Sequence, residues 1–93
     1  MNFSYKSLTQ HLFFVYYVYY LQHRKNGVVY YGYTNDLQRR LKEHQREDAG
    51  WSLVYYEAYR AEGDARQREQ RLKDYGQART HLRRRLQKSL SEK

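Results

Sequence analysis

The chain contains no cysteine and no proline. Without cysteine it can form neither a disulfide framework nor a thiolate metal site. Without proline, glycine is the remaining residue type that strongly interrupts regular structure, so we expect the glycines to mark the breaks between elements. The five glycines are Gly27, Gly32, Gly50, Gly63 and Gly76. They divide the chain into short elements, with no internal repeat or low-complexity linker.

The chain also lacks an apolar run long enough to cross a membrane. The longest candidate, LFFVYYVYYL at residues 12–21, has ten residues, whereas a spanning helix needs about 20. A secretory signal also requires a small-residue cleavage site, and none follows this run. We therefore interpret the run as a buried strand and expect a cytoplasmic protein without membrane association.

Acidic residues are in the minority. The chain has ten Asp and Glu residues and eighteen Lys and Arg residues, which gives a formal net charge of +8 on 93 residues. This excess favours a polyanionic partner, and nucleic acid fits because neutralised phosphates release counterions. An acidic membrane surface or simple solubility would also account for the charge.

The first half of the domain predicts a β-hairpin. Residues 1–12 have mixed polarity without a clear period, so we expect a partly disordered extension before one domain of residues 13–93. The aromatic and β-branched residues 13–22 predict a strand that is apolar on both faces and therefore central in its sheet. Residues 28–33, VVYYGY, predict its antiparallel partner, because Asn26-Gly27 is a favoured hairpin turn.

The rest of the chain predicts one strand and three helices. The first helix is LQRRLKEHQRE, with an N-cap oxygen from Thr34, Asn35 or Asp36, and the third strand is WSLVYYEAY. Residues 64–75 predict a polar helix ended by Gly76, and leucines four apart up to Leu90 predict a basic amphipathic helix. The order ββαβαα predicts an α+β fold, in which three helices flank a three-stranded antiparallel sheet.

Two tyrosines of the hairpin are expected to share a face of the sheet. A four-residue loop at residues 23–26 places Tyr19 directly opposite Tyr30, and we favour this register. A two-residue turn at Asn26-Gly27 would place them on the same face but four positions apart. Arg40 and Glu69 each flank the buried stripe of a predicted helix, so both can reach over the sheet.

These residues together resemble the GIY-YIG nuclease domain. The resemblance rests on Tyr17-Val18-Tyr19, Tyr30-Tyr31-Gly32, Arg40 in RRLKEH and Glu69 in DARQREQRLK, and it covers residues 14–86. The chain is most similar to small free-standing members that are like the nuclease domain of excinuclease C. Tyr17 stands where the family motif begins with glycine, and no asparagine follows Glu69 at the late position that many members use.

The resemblance implies a DNA endonuclease of DNA repair or processing with one Mg²⁺ or Mn²⁺ ion, held mainly by Glu69. It implies that Arg40 stabilises negative charge on the phosphorus and that Tyr19 and Tyr30 orient or deprotonate the attacking water. His44 would pass protons or contact phosphate. A phenol acting as a base near neutral pH would need nearby positive charge to lower its pKa.

We expect the DNA backbone to contact a set of basic residues, namely Arg39, Lys42, Arg68, Lys73, Arg83, Arg84 and Arg85. Neither a small-molecule cofactor nor a sequence-reading module is indicated, and a homodimer or a recruiting protein partner remains open. The alternative hypothesis to an enzyme is a non-catalytic nucleic-acid-binding module with the same fold. A third hypothesis is an adaptor without a nucleic acid partner. Taken singly, such tyrosines are more often packed in a core and such charges more often solvated.

Overall fold

The computed structural model describes residues 15–92 of the chain. In chain order the elements are β1 (Tyr16–His23), β2 (Val29–Thr34), α1 (Leu37–Glu47), β3 (Trp51–Tyr59), α2 (Glu62–Asp74), α3 (Gly76–Arg85) and α4 (Gln87–Ser91). The predicted extension of residues 1–12 lies outside the described residues. The predicted bounds of α1 and β3 are confirmed.

The three strands form one antiparallel sheet in the order β2-β1-β3. β1 is buried along almost its whole length and lies between the other two strands, which confirms the prediction from its apolar residues. The α+β fold is therefore confirmed. A register shift between Tyr20 and Leu21 in the pairing with β3 is the one irregularity of this ladder.

The hairpin register differs from both predicted registers. The loop has four residues, but it spans residues 24–27: the His23 N–H donates to the Val28 carbonyl at 2.8 Å, and the Gly27 N–H donates to the His23 carbonyl at 2.9 Å. Gly27 has a φ of 72°, and this left-handed conformation suits glycine as the last residue of the loop. Tyr19 is therefore paired with Gly32, and Tyr30 with Leu21. The two tyrosines still share one face, diagonally instead of directly opposite.

Helices cover the two faces of the sheet unequally. On one face, α2 and α3 bury a cluster with the sheet, formed by Val18, Tyr20, Tyr31, Ala65, Leu72 and Leu82. On the other face, α1 lies over Tyr19 and Tyr30 through His44. Its N-cap is Asp36, whose Oδ1 accepts the Arg39 backbone N–H. Four helices are present in the described part, and none is long and apolar enough to cross a membrane.

The C-terminal helices differ from the prediction in their boundaries. Tyr75, in an extended conformation, ends α2, and Gly76 begins α3 instead of terminating the helix before it. The last predicted helix is divided at Leu86, whose N–H donates to the Arg83 carbonyl at 3.1 Å. Arg79 joins the two helices, because its Nη1 donates to the carbonyls of Leu72 and Lys73 at 2.9 and 2.8 Å. This guanidinium satisfies carbonyls at the end of α2 that have no partner within that helix.

Candidate active site

Tyr19 and His44 form the centre of the candidate site. β1 directs Tyr19 towards α1, and His44 meets it from the third turn of that helix. The Tyr19 hydroxyl lies 2.9 Å from His44 Nε2, and the two rings meet edge to face. Only 2% of Tyr19 is exposed. A buried phenol that is hydrogen-bonded to a neighbouring helix has a fixed position, which suits a role in catalysis.

Gly32 makes this position of Tyr19 sterically possible. The Tyr19 ring lies directly over its cross-strand partner Gly32, so that a Cβ on Gly32 would be 2.3 Å from both Cζ and the hydroxyl oxygen of Tyr19. No side chain can occupy that space unless the phenol moves. The glycine of the YYGY segment therefore serves a close approach between strands, since its backbone is not in the left-handed region.

Tyr30 is the more accessible phenol of the pair. It is 36% exposed on the edge strand β2. Its ring centroid lies 6.1 Å from that of Tyr19, 5.0 Å from that of His44 and 6.3 Å from that of Trp51. His44 thus contacts both tyrosines that were predicted to act together, and the structure brings these three residues into one cluster.

Arg40 completes the cluster one helical turn before His44. Its Nη1 donates to Glu43 Oε1 at 3.1 Å. The Glu43 carboxylate and the Tyr19 and Tyr30 hydroxyls raise the pKa of Arg40 above its ordinary value. The guanidinium is therefore a permanent cation beside both phenols.

The protonation states of Tyr19 and His44 differ from the expectation for a simple phenolate base. Burial raises the pKa of Tyr19 to about 12, and the nearby Arg40 only partly offsets this effect. Burial, followed by the positive charge of Arg40, lowers the pKa of His44 below its ordinary value. At neutral pH both groups are therefore uncharged. We assign the phenol as the donor and Nε2 as the acceptor, because a phenol O–H is more acidic than a neutral imidazole N–H.

Glu69 pairs with Lys73, whose ammonium group lies near the Tyr30 ring. Both residues are on α2, and Lys73 Nζ lies 3.3 Å from Glu69 Oε2 and 5.9 Å from the centroid of the Tyr30 ring. Residues 15–92 contain no group of three or more His, Cys, Asp or Glu side chains that could hold a metal ion. A single carboxylate still fits Mg²⁺, a hard cation that keeps several waters and takes oxygens from substrate phosphates.

The other predicted DNA contacts do not form one surface. Arg39 and Lys42 are exposed on α1, whereas Arg84 and Arg85 are exposed on α3, on the far side of the sheet. Arg83 lies beside the buried Tyr20 and Tyr31 hydroxyls, and neither hydroxyl reaches hydrogen-bonding geometry with a group in the described part of the chain.

Arg68 is engaged in an ion pair that sequence reasoning missed. Its guanidinium donates to both carboxylate oxygens of Glu57 on β3, at 2.9 and 3.1 Å. The Tyr55 and Tyr59 hydroxyls donate to the same carboxylate. Burial opposes ionisation, but the bonds from Arg68 and the two tyrosines hold the pKa of Glu57 below its ordinary value. Nothing in the periodicity of β3 or α2 signals this pairing, because it depends on how the helix crosses the sheet.

A second missed feature is a shallow, open cleft of about 370 Å³ between α1 and α2, beside the edge strand β2. Arg40 lines it together with Arg39 and with Arg66, which sequence reasoning did not single out. The available signal was the i,i+4 spacing of Glu62 and Arg66, which form an ion pair at 3.2 Å.

Comparison with known proteins adds one finding. The family model described as the GIY-YIG catalytic domain matches residues 15–83, a span that contains Tyr19, Tyr30, Arg40, His44 and Glu69. No curated protein and no solved structure matches the chain significantly.

Proposed function

Since the chain belongs to the GIY-YIG nuclease family, we propose that it is a metal-dependent endonuclease that hydrolyses DNA phosphodiester bonds in repair or processing. The observation that carries this proposal is the Tyr19 hydroxyl at 2.9 Å from His44 Nε2, with Arg40 beside it. Hydrolysis of a phosphodiester needs a proton acceptor for the attacking water and a cation for the developing charge. The cluster contains both.

The buried phenol and the imidazole act together as the proton acceptor in this proposal. Water donates its proton to the Tyr19 oxygen while the Tyr19 proton moves to His44 Nε2, so the phenol never has to exist as a free phenolate. This route avoids the cost of ionising a group whose pKa burial raises to about 12. Tyr30, the more exposed phenol, orients the water. The leaving oxygen takes its proton from solvent.

Arg40 is the residue that stabilises the reacting phosphate. Its planar guanidinium can donate two parallel hydrogen bonds to phosphate oxygens, and its charge does not change with pH. Glu43 holds the guanidinium in place beside the two phenols. A cation that is already oriented before the reaction contributes most to the transition state.

Glu69 is the residue that would hold the divalent ion, and the ion would neutralise charge on the phosphate and the leaving oxygen. Lys73 already pairs with the Glu69 carboxylate, so it competes with an ion for the same oxygens. Replacing Lys73 by methionine should therefore raise Mn²⁺ affinity, whereas Glu69→Gln should lower it. Electron paramagnetic resonance of free Mn²⁺ measures both effects without any cleavage reaction.

Plasmid nicking tests the proposed function. Purified protein should nick supercoiled plasmid or branched DNA with Mg²⁺ or Mn²⁺ and should stop when a chelator is added. Glu69→Ala should not nick, which excludes a contaminating nuclease. Salt-sensitive DNA binding by a wild type that never nicks would refute the enzyme and favour the non-catalytic binding module. A protein that does not bind DNA at all would favour the adaptor.

The nicking rate should fall as the pH is lowered, with a midpoint below 6.5, the ordinary pKa of histidine. Protonated His44 cannot accept the Tyr19 proton, and the lowered pKa of His44 moves this loss to more acidic pH. Single-turnover nicking rates from pH 5 to 8 would measure the midpoint. His44→Gln should slow the reaction about 10²-fold. It should also remove the loss of rate at acidic pH, which is the acid limb of the pH profile. An acid limb that persists in His44→Gln would contradict the role of His44.

The stability of the fold should change with pH in the same direction. Because the folded pKa of His44 lies below its unfolded value, the unfolded chain binds the proton more tightly. The contribution of neutral His44 to the free energy of unfolding is thus complete above the unfolded pKa and is lost as the pH falls from there through the lower, folded pKa. Urea denaturation of wild type and His44→Gln at several pH values would show this difference.

A further inference from the structure

The cleft between α1 and α2 continues the candidate active site along the edge strand β2. Its walls include Tyr33, Arg39, Arg40, Glu43, Glu62 and Arg66. Arg40 belongs both to the cleft and to the cluster around Tyr19. A DNA strand with one phosphate at Arg40 would therefore place a neighbouring phosphate in the cleft. This step rests on the proposed function.

Arg66 is held at the α2 wall of the cleft by two neighbours. Its guanidinium carbon lies 4.4 Å from the centroid of the Tyr33 ring. Its Nε and Nη2 donate to Glu62 Oε2, which also accepts the Tyr33 hydroxyl at 2.7 Å. Nη1 takes part in none of the hydrogen bonds formed within residues 15–92. The side chain is thus oriented while 61% of it stays exposed and part of its donor set remains available.

Arg39 occupies the α1 wall. Its Nη1 donates to Glu43 Oε2 at 3.2 Å, while the other oxygen of the same carboxylate binds Arg40. Glu43 therefore keeps the two guanidinium groups next to each other. Arg39 is also exposed, at 58% of its side chain.

The ion pairs of the cleft are exposed and can give way to an anion. Three arginines line the cleft against two glutamates, and Asp36 Oδ2 lies 3.6 Å from Arg39 Nε. Exposed ion pairs of this kind hold their partners only weakly. Phosphate oxygens accept two parallel hydrogen bonds from a guanidinium, and such bonds are stronger than those between neutral groups. An incoming phosphate can therefore bind the free donors or displace the glutamates.

We propose that Arg39 and Arg66 together bind one backbone phosphate of DNA, next to the phosphate at Arg40 on the strand that is cut. One arginine comes from each helix, so this subsite fixes the position of the strand across the cleft. Contacts to phosphate carry no base information, and the subsite therefore sets the register of the strand and not a sequence preference. Arg66 thereby replaces Arg68 as the arginine of α2 that contacts DNA.

Salt-dependent DNA binding in the presence of a chelator tests this subsite without cleavage. The probe is a short fluorescent DNA duplex, and the variants are Arg66→Ala, Arg39→Ala and the double variant. Arg71→Ala is the matched control, because Arg71 is an exposed arginine of the same helix that lines a separate cleft with Tyr75 and His81. Thermal unfolding confirms that each variant is folded.

Each single variant should weaken binding about tenfold at low salt, the effect of losing a charge-assisted contact. In the double variant the slope of log affinity against log salt should become shallower by about 0.9, the value for one phosphate. Each single variant should change the slope by less than this, because the remaining arginine still neutralises the same phosphate. Arg71→Ala should stay within about twofold of the wild type, since a charge outside the contact is screened by salt.

Two results would overturn the subsite. In the first, Arg66→Ala has the same DNA affinity and the same salt slope as Arg71→Ala. In the second, the salt slope of the double variant becomes shallower by the value for two phosphates. Plasmid nicking, measured separately, distinguishes this failure from failure of the proposed function. If the wild type nicks DNA and Arg66→Ala binds DNA like the control, the subsite is refuted and the proposed enzymatic activity stands. If the wild type never nicks and the salt slopes are as expected, the enzymatic activity is refuted and the phosphate subsite stands.

Discussion

Arg40→Ala is expected to slow DNA nicking by about 10²–10³-fold, the usual effect of removing one preorganised donor from a developing charge. Arg40 is the permanent cation beside both phenols, and its pKa is raised chiefly by Glu43. The effect should fall on kcat more than on DNA affinity, because the guanidinium binds the transition state better than the substrate. Arg40→Lys should recover only part of the rate, since lysine keeps the charge but lacks the planar fork.

Arg46→Ala provides the matched control for this prediction. Arg46 is an exposed arginine of the same helix, outside the cluster and outside the cleft. Single-turnover nicking and fluorescence anisotropy of labelled DNA would separate the chemical step from binding. A nicking rate of Arg40→Ala within a few fold of that of Arg46→Ala would show that Arg40 does not contact the reacting phosphate.

Gly32→Ala is expected to lower the free energy of unfolding by about 1–3 kcal/mol, the usual cost of overpacking a core. The added methyl would be 2.3 Å from Cζ and the hydroxyl oxygen of Tyr19, so the phenol must move. Any such movement breaks the 2.9 Å contact with His44. Nicking should therefore fall by about 10²-fold or more in variant protein that is still folded, because small displacements of catalytic groups have effects of this size.

Gly63→Ala is the matched control, because an added Cβ would meet no atom within 4 Å apart from its chain neighbours and the adjoining backbone of its own helix. As a glycine inside α2, it should be neutral or gain up to about 1 kcal/mol from the substitution. Urea denaturation and nicking of both variants would test the pair. Gly32→Ala protein with the stability and activity of the wild type would mean that Tyr19 is not confined as the structure places it.

The pKa of Tyr19 could not be predicted from residue types alone. Nearby positive charge was expected to lower the phenol pKa, and Arg40 does act in that direction. Burial under α1 acts in the opposite direction and is larger. The degree of burial depends on the packing of a helix over a strand that lies about twenty residues earlier, and no local pattern contains that information.

By itself, the sequence determined the features that depend on short-range periodicity. The apolar residues on both faces predicted the central position of β1, helical spacing predicted α1, and β-branched and aromatic residues predicted β3. Each of these signals is contained in about ten consecutive residues, because the side-chain period of a strand or helix is a property of its backbone. The ordered motifs around Tyr19, Tyr30, Arg40 and Glu69 were likewise sufficient to indicate the GIY-YIG family.

Only the tertiary structure decided which side chains meet. The hairpin closes with Gly27 at a positive φ, and the resulting register pairs Tyr19 with Gly32. The crossing of α2 over the sheet paired Arg68 with Glu57 and left Arg66 in the cleft with Arg39 and Arg40. These contacts depend on how distant elements pack against one another. Packing is determined by the fit of whole surfaces, so the spacing of residues along the chain does not reveal it.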